Sequence, residues 1–309
     1  MRAFITGISG FVGRHLAERL VSQGWEHVSG FDSQASDLPV PVHPGDLCDR
    51  AAISEALTAS QPEVVFHLAG TIKAELAKDY FLTNVLGTLG LFEALLETGY
   101  RPRVMIASTS AVYGPGLGQR PISEYFPLHP MTDYAASKAS QEMVSHRFYL
   151  GDQIPIVIVR TFNLLGPGQS PKLACSAFAR QIALDENRED PEPIHTGNLS
   201  SKRDFVDVRD AVRAYELLAQ EGSPGAVYNV CSGQAVSLQN CLNLLLGMAT
   251  KPLITELEAA RIQIHDLPIQ VGSAKLIQRT VGWQPQISLQ DSLADLLNDW
   301  RERVKTIQE

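Results

Sequence analysis

The sequence predicts an α/β fold: an open, doubly wound parallel sheet with a smaller α/β lobe attached. Two observations point to the sheet. Short β-branched runs such as Ile154–Val159 are almost wholly apolar, and they alternate with longer amphipathic stretches such as Asn84–Thr98. A strand that is apolar on both faces needs cover on both, and helices returning the chain between parallel strands supply it. The third observation is that this regularity fades after Gly166-Pro167-Gly168, which puts the smaller lobe in the C-terminal half.

Taken in order, Arg2–Thr6 reads as the first strand and Phe11–Gln23 as a helix stopped by Gly24. His27–Phe31 is the second strand, and a short third strand precedes Gly45. Glu63–Leu68, Arg103–Ala107 and Ile154–Val159 are further strands. Asn84–Thr98 is a helix with Val85, Leu89, Phe92 and Leu96 on one face, and Thr132–Leu150 is another. Beyond the break, helices are expected over Leu173–Glu186, Val208–Ala219, Leu238–Met248 and Leu289–Val304. Ser237 and Ser288 stand where N-caps belong. Ala226–Val230 is one more core strand. The first unit then covers residues 1–163, with returning segments about 204–231, and 164–309 form mainly the smaller lobe.

A chain of 309 residues is long enough to bury a sizeable core, and 44% hydrophobic with 19% charged residues is a globular profile. A net charge of −8 argues against nucleic acid and anionic membrane as partners. No apolar run reaches the roughly 18 residues of a membrane span. The first strand begins at residue 2 and leaves no room for a cleaved signal, so a cytoplasmic location is expected. Cys48, Cys175, Cys231 and Cys241 form no C-x-x-C pair and none neighbours a histidine at ligand spacing. Buried, reduced thiols and no metal site are the expectation.

Gly7-Ile8-Ser9-Gly10-Phe11-Val12-Gly13 follows the first strand and opens the first helix. Gly7 permits a tight turn, Gly10 lets a pyrophosphate approach backbone, and Gly13 lets helix and sheet pack closely. The helix start, with Phe11 and Val12, adds amide donors and a positive dipole end. This strand–turn–helix context predicts a Rossmann-type dinucleotide site. Asp32 ends the second strand 19 residues after Gly13. A carboxylate there accepts from ribose hydroxyls and repels a 2′-phosphate, and Ser33-Gln34-Ala35-Ser36-Asp37 offers no cation, so NAD(H) is favoured over NADP(H). Asp46 and Leu47 are candidates for the adenine side, and Leu68, Ala69 and Gly70 close the fourth strand with room for cofactor. Asn84 is grouped with these cofactor contacts. His67 reads as a satisfied core histidine.

Tyr134-Ala135-Ala136-Ser137-Lys138 places a phenol and an ammonium on one helical face. An unperturbed tyrosine, with a pKa near about 10, is a slow acid–base at neutral pH, and a nearby cation lowers that value. The lysine can also hold a nicotinamide ribose. Ser108-Thr109-Ser110-Ala111-Val112-Tyr113-Gly114 lies at the carboxyl end of the Arg103–Ala107 strand, where open parallel sheets bind ligands.

In this order, the glycine turn, the Ser-Thr-Ser-x-x-Tyr-Gly segment and Tyr-x-x-x-Lys resemble the extended short-chain dehydrogenases/reductases that modify nucleotide sugars. Arg160-Thr161-Phe162-Asn163-Leu164-Leu165-Gly166-Pro167-Gly168-Gln169, Lys202-Arg203-Asp204-Phe205-Val206-Asp207-Val208, Val227–Gly233 and Gly282-Trp283-Gln284-Pro285 extend the resemblance over essentially the whole chain. Within the group it is most similar to the GDP-6-deoxy-4-keto-hexose reductases and to their GDP-mannose 4,6-dehydratase cousins.

The resemblance implies that Thr109 hydrogen-bonds the sugar oxygen at C4, that Tyr134 is the acid–base and that Lys138 is its partner. It puts Phe162 by the nicotinamide, and Asn163 and Arg203 on the nucleotide diphosphate, with Ser110 also lining the substrate. For Arg203 a salt bridge with Asp204 or Asp207 is the competing reading. It also implies a homodimer built on the two long helices. Two departures stand out. The dehydratases carry an acidic residue just after the threonine, where this chain has Ser110-Ala111. An arginine about five residues before Pro268 is replaced by Gln263, so Arg261 would have to reach in. Leu164 also stands where the rhamnose-forming reductases often have a polar residue.

The expected function is therefore NAD(P)H-dependent reduction of the C4 ketone of a nucleotide-linked 4-keto-6-deoxy sugar, with GDP-4-keto-6-deoxymannose as the leading candidate. A nucleotide-sugar 4-epimerase that retains NAD and a non-catalytic dinucleotide sensor are the alternatives.

Overall fold

The computed structural model describes residues 1–34, 36–116, 118, 120–261 and 267–308. Its first half alternates strands and helices: β1 (Arg2–Thr6), α1 (Phe11–Ser22), β2 (His27–Asp32), β3 (Val42–Pro44), α2 (Arg50–Ser60), β4 (Val64–His67), α3 (Ala77–Phe81), α4 (Gly87–Thr98), β5 (Arg103–Thr109), α5 (Asp133–Asp152) and β6 (Ile156–Thr161). Then come β7 (Asn163–Leu165), α6 (Ala174–Asp185), β8 (Ile194–Thr196), β9 (Lys202–Asp207), α7 (Val208–Glu221) and β10 (Val227–Val230). The chain ends with β11 (Ala235–Ser237), α8 (Leu238–Gly247), β12 (Thr255–Leu257), β13 (Ile269–Gln270), α9 (Lys275–Val281) and α10 (Leu289–Gln308).

Seven strands form one parallel sheet in the order β10-β6-β5-β4-β1-β2-β3. All residues of β4 and β6 are buried, as continuous apolar runs in a covered sheet require. One face packs Leu16 and Leu20 of α1 with Val212, Tyr215 and Leu218 of α7 and Trp283. The other packs Ile53 and Leu57 of α2, Leu91 and Leu95 of α4 and Phe148 of α5. Each fully buried aliphatic side chain contributes about 1.5–3 kcal/mol. The strand order reverses between β1 and β4, and a crevice at such a switch point is where open α/β sheets bind ligands.

The remaining strands build smaller ladders. β9 lies between antiparallel β11 and parallel β13 and also pairs with β7, while β12 pairs with β8. A third core joins α6, α8 and α10 around Trp300, whose indole N–H donates to the Ser176 hydroxyl at 2.8 Å. Ser237 caps α8 by accepting from Asn240 N, and Ser288 accepts from Asp291 N at 3.1 Å as α10 begins.

Several expectations need correction. The helix expected over Asn84–Thr98 is two pieces, the latter part of a π-turn over Leu82–Leu86 and then α4, and α3 runs into the turn from before it. The wide turn turns Asn84 fully inward, where its amide has partners, which an amphipathic period does not reveal. Helix α2 was not anticipated, although Asp49 caps it by accepting from Ala52 N at 3.1 Å. β5 runs on to Thr109. Cys48 is exposed, whereas Cys175, Cys231 and Cys241 are buried; all four thiols are free.

Candidate active site

The carboxyl ends of β2, β1, β4 and β5 present Asp32, the glycine turn, Leu68-Ala69-Gly70 and Thr109 side by side. Neighbouring strands are about 4.8 Å apart, so this track is about 14 Å long. Gly7 is left-handed, with φ 73°, and a Cβ there would lie 2.7 Å from Ala69 N. A Cβ on Gly13 would meet Gly7 O at 2.2 Å, so the turn and α1 are in backbone contact. At Gly10 a Cβ would meet only Gly7 O within 4 Å, at 3.2 Å; the space in front of α1 is open, and a side chain would fill it. Phe11 and Val12 form the first turn of α1, half-buried beside that opening. An open cradle of amides at a helix start fits a pyrophosphate.

Asp32 accepts from Ser9 N and from Gln34 N, each at 2.9 Å, and so holds the glycine turn against the end of β2. Arg14 completes this corner. Its Nε donates to Ser9 O at 3.0 Å, and its Nη1 pairs with Asp37 at 2.5 Å. A cation therefore does stand near the segment after Asp32; it comes from α1 and is invisible in the local sequence. Asp46 accepts from Cys48 N at 2.8 Å, which shapes the loop after β3, and Leu47 packs into the core against Gly87.

His67 is fully buried between Thr6 and Thr88, bonded to each hydroxyl at 2.8 Å. Burial and then the nearby Lys138 charge push its pKa down to about 3, so the ring is neutral. Ala69 N donates to the Thr6 hydroxyl at 3.2 Å. Asn84 donates to Thr71 O at 3.1 Å and to the Ser137 hydroxyl at 2.9 Å, and accepts from Thr71 N at 2.8 Å. Its amide joins the loop after β4 to α5. A Cβ on Gly70 would lie 2.8 Å from Asn84 Oδ1 and 3.9 Å from Lys138 Nζ, so that loop runs directly past the lysine.

Thr132 caps α5 by accepting from Ala135 N at 3.1 Å, and this start aims Tyr134 and Lys138 at the end of β5. Lys138 is buried and donates to Ala107 O at 2.5 Å. Burial lowers its pKa to about 8, partly offset by Glu142 one turn further along the helix. Tyr134 is half-buried beside Thr109. Burial raises the phenol above its ordinary value, a hydrogen bond with Thr109 pulls the other way, and Tyr80, whose ring centroid is 6.2 Å away, adds to the rise. Thr109 also caps the 3-10 turn Ser110–Tyr113 by accepting from Ala111 N at 3.2 Å. A phenol, a hydroxyl and an ammonium so grouped can polarise a carbonyl and deliver a proton to it.

Behind this group runs a buried polar network that the motifs did not reveal. Glu142 accepts from Ser108 Oγ at 2.5 Å and pairs with Arg160 at 2.7 Å. Arg160 donates to the Tyr113 hydroxyl at 3.1 Å, which donates to Asn229 at 2.7 Å. Glu142 lies four residues past Lys138, so helical period alone could have flagged it. Arg160 opens the Arg160–Gln169 motif, which by itself points to no partner for it.

The expected substrate residues divide. Ser110 is buried, and its hydroxyl donates to Gln270 at 3.1 Å. Phe162 is 3% exposed and packs with Val112, Tyr113, Ile122 and Cys231. Asn163 donates to Asp204 O at 3.2 Å, and Arg203 to Leu267 O at 2.6 Å. Asp204 and Asp207 have other partners. Asp204 accepts from Ser232 N at 2.7 Å, Gly233 N at 2.9 Å and Gly272 N at 3.0 Å, and Asp207 pairs with Arg209 at 2.8 Å. Arg261 is exposed and pairs with Glu258. Gln263 lies outside the described residues. No group of three or more His, Cys, Asp or Glu able to hold a metal occurs among the described residues.

The model of the NAD dependent epimerase/dehydratase family matches residues 3–231. A GDP-6-deoxy-D-mannose reductase of Pseudomonas aeruginosa is 34% identical over 309 residues, 98% of each chain. The solved structure of RMD from Pseudomonas aeruginosa complexed with NADPH has a TM-score of 0.87 at 30% identity and covers 98% of this chain and 100% of that one. The UDP-glucose 4-epimerase of Thermus thermophilus in complex with NAD has a TM-score of 0.87 at 26% identity, covering 97% and 99%.

Proposed function

The chain belongs to the NAD dependent epimerase/dehydratase family and is an NAD(P)-dependent enzyme of nucleotide-sugar chemistry, and from that premise we propose that it reduces the C4 ketone of GDP-4-keto-6-deoxymannose. The observation that carries this reading is the neutral turn after Thr109. A dehydratase needs an acid–base carboxylate there to remove water across C5 and C6. This chain has Ser110 and Ala111, and the Ser110 hydroxyl is committed to Gln270. A C4 reduction needs one proton donor, and Tyr134 stands beside Thr109 to provide it.

Gly7, Gly10 and Gly13 with Phe11 and Val12 would hold the pyrophosphate of the dinucleotide. Asp32, with Asp46 and Leu47, would face its adenosine. Leu68, Ala69, Gly70, Asn84 and Phe162 would wall the nicotinamide end. When bound there, the reduced dinucleotide would supply the hydride that the C4 ketone needs. Lys138 holds the nicotinamide ribose and favours the phenolate left on Tyr134. Thr109 hydrogen-bonds the C4 oxygen, and Tyr134 gives it a proton, so that the ketone becomes an alcohol. Asn163 and Arg203 hold the diphosphate, with Arg261 as a second cation; a guanidinium suits phosphate oxygens. Ser110 shapes the sugar side of the turn.

Asp32 supports NAD(H), while Arg14 keeps NADP(H) in play. Residues 1–163, with returning segments about 204–231, would serve the dinucleotide, and 164–309 mainly the sugar nucleotide. Exposed Leu86, Met143 and Leu150 on the π-turn and α5 support a homodimer through these helices. No helix among the described residues is long and apolar enough to cross a membrane, and a cytoplasmic site of action is part of the proposal.

The test is direct. Purified protein with GDP-4-keto-6-deoxymannose should oxidise NADH or NADPH, and Tyr134→Phe should slow it by about 10²- to 10⁴-fold. No oxidation with either cofactor rejects the reading. A second reading is a 4-epimerase that keeps its NAD, favoured by two bonds that join the first unit to the segment after β7. His15 contacts Pro167 O at 2.9 Å, and Lys73 donates to Lys172 O at 2.8 Å. Protein that purifies with NAD bound and interconverts C4 epimers without net redox change would establish that reading instead.

A further inference from the structure

Gln270 ends β13, 160 residues beyond Ser110 in sequence, yet its side-chain amide is spent on the turn after Thr109. Its Oε1 accepts from Ser110 Oγ at 3.1 Å. Its Nε2 donates to Ser110 O at 3.0 Å and to Gly114 O at 3.3 Å. These bonds grip both ends of the 3-10 turn Ser110–Tyr113. Thr109 caps the front of that turn, and left-handed Gly114, with φ 61°, closes it. A Cβ on Gly114 would lie 1.9 Å from His129 O, so the turn has little freedom to move that way.

The backbone of Gln270 faces the other way. It sits opposite Arg203 in the parallel pairing of β13 with β9. Lys202 N donates to Pro268 O at 2.9 Å, Arg203 Nη1 donates to Leu267 O at 2.6 Å, and Gly272 N donates to Asp204 at 3.0 Å. β13 is thus stitched to β9 before and after Gln270, so a shift of β9 would carry it along. A buried amide with its donors and acceptor matched transmits such a displacement, because any slip would strand polar groups away from water.

We propose that Gln270 is a positioning residue that couples the strand carrying Arg203 to the turn carrying Thr109. Its amide bonds go to Ser110 and Gly114, so it acts through that turn. Its effect is to set Thr109 against Tyr134 when a diphosphate is held at β9. The inference rests on the sugar-nucleotide reading for the identity of that ligand only. A misplacement of about 1 Å at a catalytic group costs on the order of 100-fold in rate, so the loss belongs in kcat.

The test compares Gln270→Met, an uncharged variant of similar length, with Ser110→Ala and the double variant. Gln270→Met should lower kcat by about 10- to 100-fold and leave KM for the sugar nucleotide and NADH affinity within about threefold. The double variant should be no slower than Gln270→Met, because both act through one contact. A wild-type kcat in Gln270→Met, or multiplicative losses in the double variant, overturns the inference. Wild-type protein inactive on every sugar nucleotide rejects the proposed function alone. Hydrogen exchange then still decides: amides 109–114 should exchange at least about tenfold faster in ligand-free Gln270→Met, and an unchanged rate overturns the coupling. If Gln270→Met does not fold, Ser110→Ala, which removes one of the three bonds, is read by the same two measurements.

Discussion

The ammonium of Lys138 donates to the carbonyl oxygen of Ala107, tying α5 to β5 two residues before Thr109. That bond draws the lysine into a buried site, where desolvation opposes its charge and brings its pKa to about 8, with Glu142 restoring part of the loss. The ammonium is therefore largely present at pH 7, half lost near pH 8 and mostly gone by pH 9.5. If the charged lysine holds the ribose, NADH affinity should weaken between pH 7 and pH 9.5. Lys138→Met should bind NADH more weakly at pH 7 and show no such fall. Fluorescence titration of NADH measures both, and a flat wild-type profile over that range would remove Lys138 from the ribose.

Tyr134 carries the proton in this scheme, and Thr109 keeps the phenol from being stranded in its apolar surroundings. General acid catalysis is worth about 10²- to 10⁴-fold. Tyr134→Phe should lose kcat by that order while NADH binds within about threefold of wild type, since the ring still packs. Stopped-flow measurement of hydride transfer checks this, and a phenylalanine variant retaining a tenth of the rate would send the search for the acid elsewhere.

The residues proposed to do the chemistry stand out in the sequence because they are local. The glycine turn, Ser108–Gly114 and Tyr134–Lys138 each lie within seven residues, and strand alternation placed them at one edge. What supports them was not. Gln270 and Asp204 act across long sequence separations, β13 is too short to carry a period, and the Glu142–Arg160 pair joins a helix to a strand in a way that no local motif marks. Asn84 was grouped with the cofactor contacts, but its π-turn, which commits the amide to Thr71 and Ser137, breaks the 3.6-residue pattern. Arg14 is hidden for a different reason: it lies on α1, 18 residues before Asp32, and only the fold brings it beside the loop that follows.

That corner yields a cofactor prediction. Asp32 would repel a 2′-phosphate, and Asp37 occupies Arg14, the cation that stands at this corner. Asp32→Asn should weaken NADH binding, and Asp37→Ala should free Arg14. In combination they should move the ratio of NADPH to NADH dissociation constants by at least about tenfold toward NADPH, or about 1.4 kcal/mol. Calorimetry with each dinucleotide measures the ratio. An unchanged ratio would mean that the 2′ position points away from β2.

The Glu142–Arg160 pair is almost fully enclosed, with 2% and 7% of the side chains exposed. Breaking a buried pair by removing one partner costs about 3–5 kcal/mol, because the other charge stays buried. Glu142→Ala should therefore be strongly destabilised in urea. Since Arg160 is left without its carboxylate, Glu142→Ala with Arg160→Met should recover part of the loss. Equal stability of wild type and Glu142→Ala would show that water reaches Arg160 freely.

His67 gives the protein an acid limb of its own. The folded ring stays neutral until about pH 3, held between Thr6 and Thr88, while in the unfolded chain it takes a proton near its ordinary value of 6.5. Between those values the unfolded state binds more protons, so stability is full above about pH 6.5 and is lost as pH falls toward 3. The slope for one proton is at most about 1.4 kcal/mol per pH unit. His67→Gln removes this titration but also disturbs two buried hydrogen bonds. The variant should be less stable than wild type at pH 7, and the gap should narrow steadily from pH 6.5 to 4, because the other titrating groups are common to both. Urea unfolding at four pH values measures the difference. A constant gap would mean that the folded ring protonates as readily as the unfolded one, and that the two threonines leave room for its charge.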